Sequence, residues 1–380
     1  YKHIAHDFTD PLIWSHNRVE GRREYTSLIY VPAVAPIDLW NRETPRGVKL
    51  YVQRVFITDE ATQFLPLYLR FIRGVIDSSD LSLNISRESL QQDPTVSSIK
   101  SALTKRSLNM LDKLARADGD KYKIFWREFG ATLREGLAED PGNREKLAEL
   151  LRFNSTRSED LDQDRSLDGY IDAADDGQNT IYYLTAESPV SARNSPHLES
   201  LREREIEVLL LSDRIDEWVM QHLTEFKGKV FKDITRGDLS LGDREVSEKV
   251  EAELTKEQKQ ALKRVKRVLR ERVDEVRMSD RLKESAVCLV LGEQDLGYQM
   301  RELLKATGHD APEIAPSLEL NPNHPLVQRL VRENKDQKFE DLSWVLLEQA
   351  TLIEGQPLVD PASFARRVNT LIIDEKLVKE

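Results

Sequence analysis

Three consecutive segments constrain the fold of this chain most: "TIYYLTA" (180–186), "SARNSPHLESLRERE" (191–205) and "IEVLLL" (206–211). The first and third read as strands, and the second as mostly helix. A strand that returns through a helix to a nearly continuous apolar strand implies a parallel crossover with helices covering the sheet. The fold class expected is therefore α/β, in the mixed α+β sense.

The flanking segments extend this pattern. Residues 22–34 and 47–57 alternate in character and read as strands, with Val48, Leu50, Val52 and Phe56 on one face. A helix is expected at about 61–75, followed by a loop. Asp93-Pro94 supplies an N-cap and first turn for a helix whose buried stripe is Val96, Ile99, Leu103, Met110 and Leu114. Further helices fall at 121–136 and 143–153, and residues 156–178 read as a polar loop. Residues 213–226 read as a helix, and the polar stretch 232–255 as a domain boundary. Beyond it, Leu262, Val265, Leu269, Val273 and Val276 mark a long charged helix, followed by the strand "SAVCLVL" and a helix near 295–306. Two apolar helical patterns close the chain, at about 339–353 and 360–373.

Composition limits the function classes. A net charge of −11 over 380 residues argues against general nucleic-acid binding, which needs a basic surface. No run of eighteen apolar residues is present, so no membrane partner is expected. The single cysteine, Cys288, forms no internal disulfide and suits a reducing, cytoplasmic setting. The sequence shows no phosphate-binding P-loop, dinucleotide fingerprint, zinc-type cysteine pattern or nucleophile elbow. His3, His6 and His16 with Asp7 are too loosely spaced to be read as a metal site, and no metal is expected. The chain opens on Tyr1, which fits a piece of a longer protein. These features alone leave open a self-contained α/β enzyme or ligand-binding protein with a helical scaffold, using a crevice at the carboxyl ends of its parallel strands.

Longer segments carry more. "LYVQRVFITDE", "LPLYLRFIRGVIDSSDLSLNISRESLQ", "ELLRFNST", "VLLLSDRIDEW" and "LELNPNHPLV" resemble the ninety-kilodalton heat-shock chaperone family, most closely its bacterial form. The similarity runs from "HDFTDPLIWSHNRVEG" to "DPASFARRVNTLI" and is weakest over 156–178 and 233–255. It implies a middle domain of α-β-α layered units at 1–235 and a mixed α/β C-terminal domain at 236–380, ending in a helical dimerisation bundle. It also implies that the family's N-terminal ATP-binding domain is absent from these residues. The full-length protein would then be an ATPase using ATP with Mg, and this portion would bind neither.

Site residues follow from the same resemblance. Arg87, with Gln91 in support, would reach the γ-phosphate held by the N-terminal domain. A guanidinium offers a fixed fork of donors to phosphate oxygens; spacing alone favours a surface ion pair of Arg87 with Glu88 or a nearby carboxylate, and the resemblance reverses that preference. Trp218, flanked by Glu217 and Gln221, would contact unfolded clients; the alternative is a buried tryptophan. Leu296, Met300, Leu303 and Leu304 share one helix face, which is either core or a client surface. Leu342, Leu346, Ala350 and Ile353 on one terminal helix, and Phe364, Val368, Leu371 and Ile372 on the other, would hold a homodimer. The ending "DEKLVKE" lacks the acidic tail that recruits tetratricopeptide-repeat co-chaperones, so such partners are not implied.

Overall fold

The computed structural model describes residues 1–5, 7–21, 23–36, 39–40, 47–83, 90, 93–238, 254–312 and 314–376. They divide into two compact units, one of Tyr1–Arg152 with Gln163–Gly169 and one of Phe153–Asp162 with Tyr170–Glu380. The architecture is mixed α/β. Among the described residues no helix is long and apolar enough to cross a membrane.

The first unit is built on a five-stranded sheet of order β1-β2-β5-β3-β4. Its strands are β1 (Ile13–Val19), β2 (Tyr25–Val31), β3 (Val48–Val52), β4 (Val55–Ala61) and β5 (Arg73–Ser78). Strand β3 buries Val48, Leu50 and Val52, as its alternation predicts. Gln53 and Arg54, with φ of 50° and 68°, make the tight turn into β4. The helix expected at 61–75 does not form. Pro66 interrupts it, two single 3₁₀ turns replace it, and the chain re-enters the sheet as β5, hydrogen-bonded to both β2 and β3. A glycine is needed there: a Cβ on Gly74 would overlap the Leu28 carbonyl oxygen of the neighbouring strand. Strand β1 was not apparent in the sequence.

Helix α1 (Pro94–Ala117) starts as predicted, with the Asp93 carboxylate accepting from Thr95 N at 2.6 Å. It buries Val96, Ile99, Leu103, Met110 and Leu114. Helix α2 (Gly119–Arg134) adds Phe125 and Phe129, which pack on Phe71 with ring centroids 5.5 and 4.8 Å away. Helix α3 (Arg144–Leu150) completes the layer. The polar stretch 156–178 is more than a loop. It contains helix α4 (Leu167–Ala173), where Leu167 and Tyr170 are buried three residues apart.

In the second unit the crossover is present: β7 (Thr180–Thr185) and β8 (Leu209–Leu211) are parallel. Helices α5 (Pro189–Arg193) and α6 (Glu199–Glu203) lie between them in sequence. The sheet order is β6-β8-β7-β10-β9, with β6 (Asn154–Ser155), β9 (Glu225–Phe226) and β10 (Lys229–Asp233). The helix expected over 213–226 is therefore shorter. Helix α7 spans only Asp216–Met220, and the chain turns through Lys227-Gly228, both at positive φ, to pair β9 with β10. Strand β10 extends into the stretch read as a polar boundary, of which residues 239–253 lie outside the described residues.

Helix α8 (Lys256–Leu269) opens on a capping box formed by Thr255 and Gln258. It ends earlier than predicted: Arg270 takes φ 51°, Val273 is extended and Val276 begins β11 (Val276–Met278). Both valines stay buried, so the periodicity marked burial and not helix. Strand β13 (Ser317–Leu320) lies between β11 and β12 (Val287–Val290). Helices α9 (Tyr298–Ala306), α10 (Pro325–Arg332), α11 (Asp336–Ile353) and α12 (Pro361–Lys376) complete the chain. Phe339, Leu342, Leu346 and Ala350 of α11 join Val265, Leu269, Val287 and Leu318 in one core.

Candidate functional site

The client-facing residues named from the resemblance fall on or immediately beside two touching helices, α7 and α9. Trp218 is half-buried and meets His222 edge-on, with ring centroids 5.3 Å apart. Gln221 is exposed. The four apolar residues separate: Leu296 precedes α9, ahead of its Gly297 N-cap, and is half-buried, while on the helix Met300 is buried, Leu304 half-buried and Leu303 46% exposed. The exposed part of the stripe is thus Leu303 with the edge of Leu304, beside Trp218's helix.

Glu217 is different in kind. It is 5% exposed, and its carboxylate caps the start of α9. Oε1 accepts from Gly297 N at 2.5 Å and Oε2 from Met300 N at 2.8 Å. A negative charge at this helix end satisfies two otherwise orphaned N–H groups and the helix dipole. Gly297 leaves room for it, since a Cβ there would lie 2.6 Å from the Glu217 carboxyl carbon. Arg236 Nη2 holds the same Oε1 at 2.9 Å, while its Nε pairs with Asp233 at 2.9 Å. Burial disfavours the charge on Arg236, but Asp233 and Glu217 outweigh it, so its pKa is raised. Tyr183, Gln221, Phe231 and Lys232 join this ion cluster in walling a cleft of about 360 Å³.

A second buried network lies in the same unit. Glu319, 2% exposed, accepts from Arg277 at 2.6 Å and faces Arg281 Nε at 3.3 Å. Arg281 also donates to the carbonyls of Ile234 (2.7 Å) and Gly237 (2.9 Å) and lies 3.3 Å from His197 Nδ1. The His197 Nε2 sits 3.0 Å from Glu354. Burial pushes the Cys288 thiol pKa up, and nearby Glu319 adds to this, so the thiol is held protonated. Neither Arg236 nor this network was named from sequence. Apart from Asp233, three residues before Arg236, their partners lie far along the chain.

The remaining candidates divide as follows. Leu342, Leu346, Ala350 and Leu371 are buried in their own chain. Phe364 and Val368 are half-buried, while Ile353 and Ile372 are 36% and 52% exposed. Arg87 and Gln91 lie outside the described residues, as does His6 of the loose histidine group. Among the described residues no three His, Cys, Asp or Glu side chains come together to hold a metal ion.

The family model described as "Hsp90 protein" matches residues 1–379. That span takes in the five-stranded sheet, the crossover, the α7–α9 junction and both terminal helices. The chain belongs to the Hsp90 family of molecular chaperones.

Proposed function

We propose that these residues act as the middle (1–235) and C-terminal (236–380) portions of an ATP-driven, homodimeric, cytoplasmic chaperone of the bacterial HtpG type. The observation that carries this reading is the match over 1–379, joined to an exposed leucine on α9, the helix that touches Trp218's helix α7. Unfolded chains expose apolar side chains, and a small apolar edge rimmed by polar groups suits weak, repeated capture of many of them. Arg87, with Gln91, would complete hydrolysis of ATP with Mg bound by the N-terminal domain of the full-length protein, and this portion alone would not turn ATP over.

The dimer face proposed is the outer side of α11 and α12. Leu342, Leu346 and Ala350 already have partners in their own chain, which leaves Leu352, Ile353, Ile372 and Ile373 exposed. The two helices pack on each other and are tied by Arg367 and Glu348 at 2.7 Å. A two-fold partner would cover this outer side with its own copy, making a four-helix bundle. Each isoleucine buried in that way contributes about 1.5–3 kcal/mol. Sedimentation tests it: Ile353→Asp with Ile372→Asp should raise the dimer dissociation constant about 100-fold or more while the circular dichroism spectrum is unchanged. A dimer unaffected by both changes contradicts this face.

A further inference from the structure

In the first unit, the groove between β1 and α1 holds chemistry that client capture, ATP turnover and dimerisation leave unused. It is a cleft of about 520 Å³. Helix α1 lines it with Lys105, Asn109 and Lys113, which recur every four residues and so share one face, and with Arg106 next to Lys105. Strand β1 contributes Ile13, Trp14 and Ser15, and no carboxylate is among the lining residues.

The cations are available. Among the described residues none of Lys105, Arg106 and Lys113 makes an ion pair, whereas Arg116 on the same helix is paired with Asp112 at 3.0 Å. Arg106 Nε is out of contact with solvent and has no hydrogen-bond partner. Buried donors are normally satisfied, so the orphaned Nε marks Arg106 as a guanidinium whose pairing within the chain is incomplete. Three unpaired cations in a chain of net charge −11 point to an anionic ligand. Trp14 is 59% exposed and with Ile13 and Met110 gives the cleft an apolar wall.

We propose that this cleft binds an oligophosphate of nucleotide size. Phosphate oxygens take the guanidinium fork and two ammonium groups together, which a single carboxylate does less well. The volume lies within the roughly 300–1,000 Å³ typical of small-molecule sites. A nucleoside triphosphate would also lay its base against Trp14, whereas inorganic oligophosphate would use the cations alone.

Titration calorimetry of the 380-residue chain with inorganic triphosphate tests the site. Saturable binding that weakens as ionic strength rises is expected, because exposed charges are screened by salt. Lys105→Glu with Lys113→Glu should weaken it about tenfold or more with the fold retained, and Arg106→Gln should weaken it separately. If adenosine triphosphate binds more tightly than triphosphate and Trp14→Ala abolishes the difference, the ligand is a nucleotide. Equal binding of the two supports inorganic oligophosphate. No saturable binding, or binding indifferent to the charge reversals, overturns the proposal. So does a glutamate-rich peptide that binds this cleft more tightly than triphosphate, which would assign it to an acidic protein segment.

Discussion

Arg87→Ala, placed in the full-length protein, should lower ATP turnover by about 10³-fold or more while ATP affinity stays nearly the same. That loss corresponds to about 4 kcal/mol of transition-state stabilisation. The reason is differential: phosphoryl transfer spreads charge over the equatorial oxygens as the bond breaks, and a guanidinium placed there strengthens its bonds only at that point. Arg87→Lys should rescue little, because a single ammonium lacks the fork. Both ends of the segment are well anchored. Leu81 and Leu90 are 3% and 1% exposed, and Asp93 caps α1 immediately afterwards. Arg87 and Gln91 themselves lie outside the described residues, so their role rests on the "NISRESLQ" resemblance. Unchanged turnover would remove Arg87 from the reaction; loss of ATP affinity together with turnover would make it a binding group instead.

Glu319→Ala should cost the second unit about 3–5 kcal/mol, read as a shift in urea unfolding. A domain's whole stability is typically about 5–15 kcal/mol, so much of it is at stake. The loss comes mainly from what remains. Arg281 is 4% exposed and would keep a buried charge with no carboxylate facing it. Arg277, three-quarters covered at its side chain, would lose its 2.6 Å partner. The pH dependence follows from the same pairings. Burial pushes the Glu319 pKa up, but Arg281 and Arg277 outweigh it, so the folded value lies below the unfolded one. The carboxylate therefore contributes stability that is fully present above its unfolded pKa and is lost as pH falls through the folded value. Glu319→Gln should flatten that acid-side decline. A change below about 1 kcal/mol in the alanine variant would show that the pair contributes little net.

Local signals in the sequence were read correctly where they sufficed. The Asp93 cap, the α1 stripe and the parallel crossover each follow from a few neighbouring residues, and of the strand expected at 206–211 the half Leu209–Leu211 forms. Strand β5 was misread because "FLPLYLRFIRGVI" is apolar at both helical and strand spacing, and only its pairing with β2 and β3 decides between them. Strand β10 was missed because its half-buried, lysine-flanked sequence carries little strand character without β7 beside it. In the candidate site, Trp218 and the α9 leucines were legible as apolar groups. The role of Glu217 was not, since its carboxylate caps a helix eighty residues further on. The stripe on α11 was read as an interface, although a helix can bury one face in its own core and leave another for a partner.

Light scattering of an unfolding protein, with and without the 380-residue chain and without nucleotide, tests client capture most directly. The account predicts that the chain suppresses aggregation near stoichiometric amounts. Leu303→Ser with Leu304→Ser, or Trp218→Ser, should weaken suppression several-fold, about 1 kcal/mol for each apolar side chain removed, with the unfolding midpoint little changed. A chain that leaves aggregation unaffected, or variants that suppress it as well as the parent does, would contradict the assignment of the α7–α9 junction as a client surface.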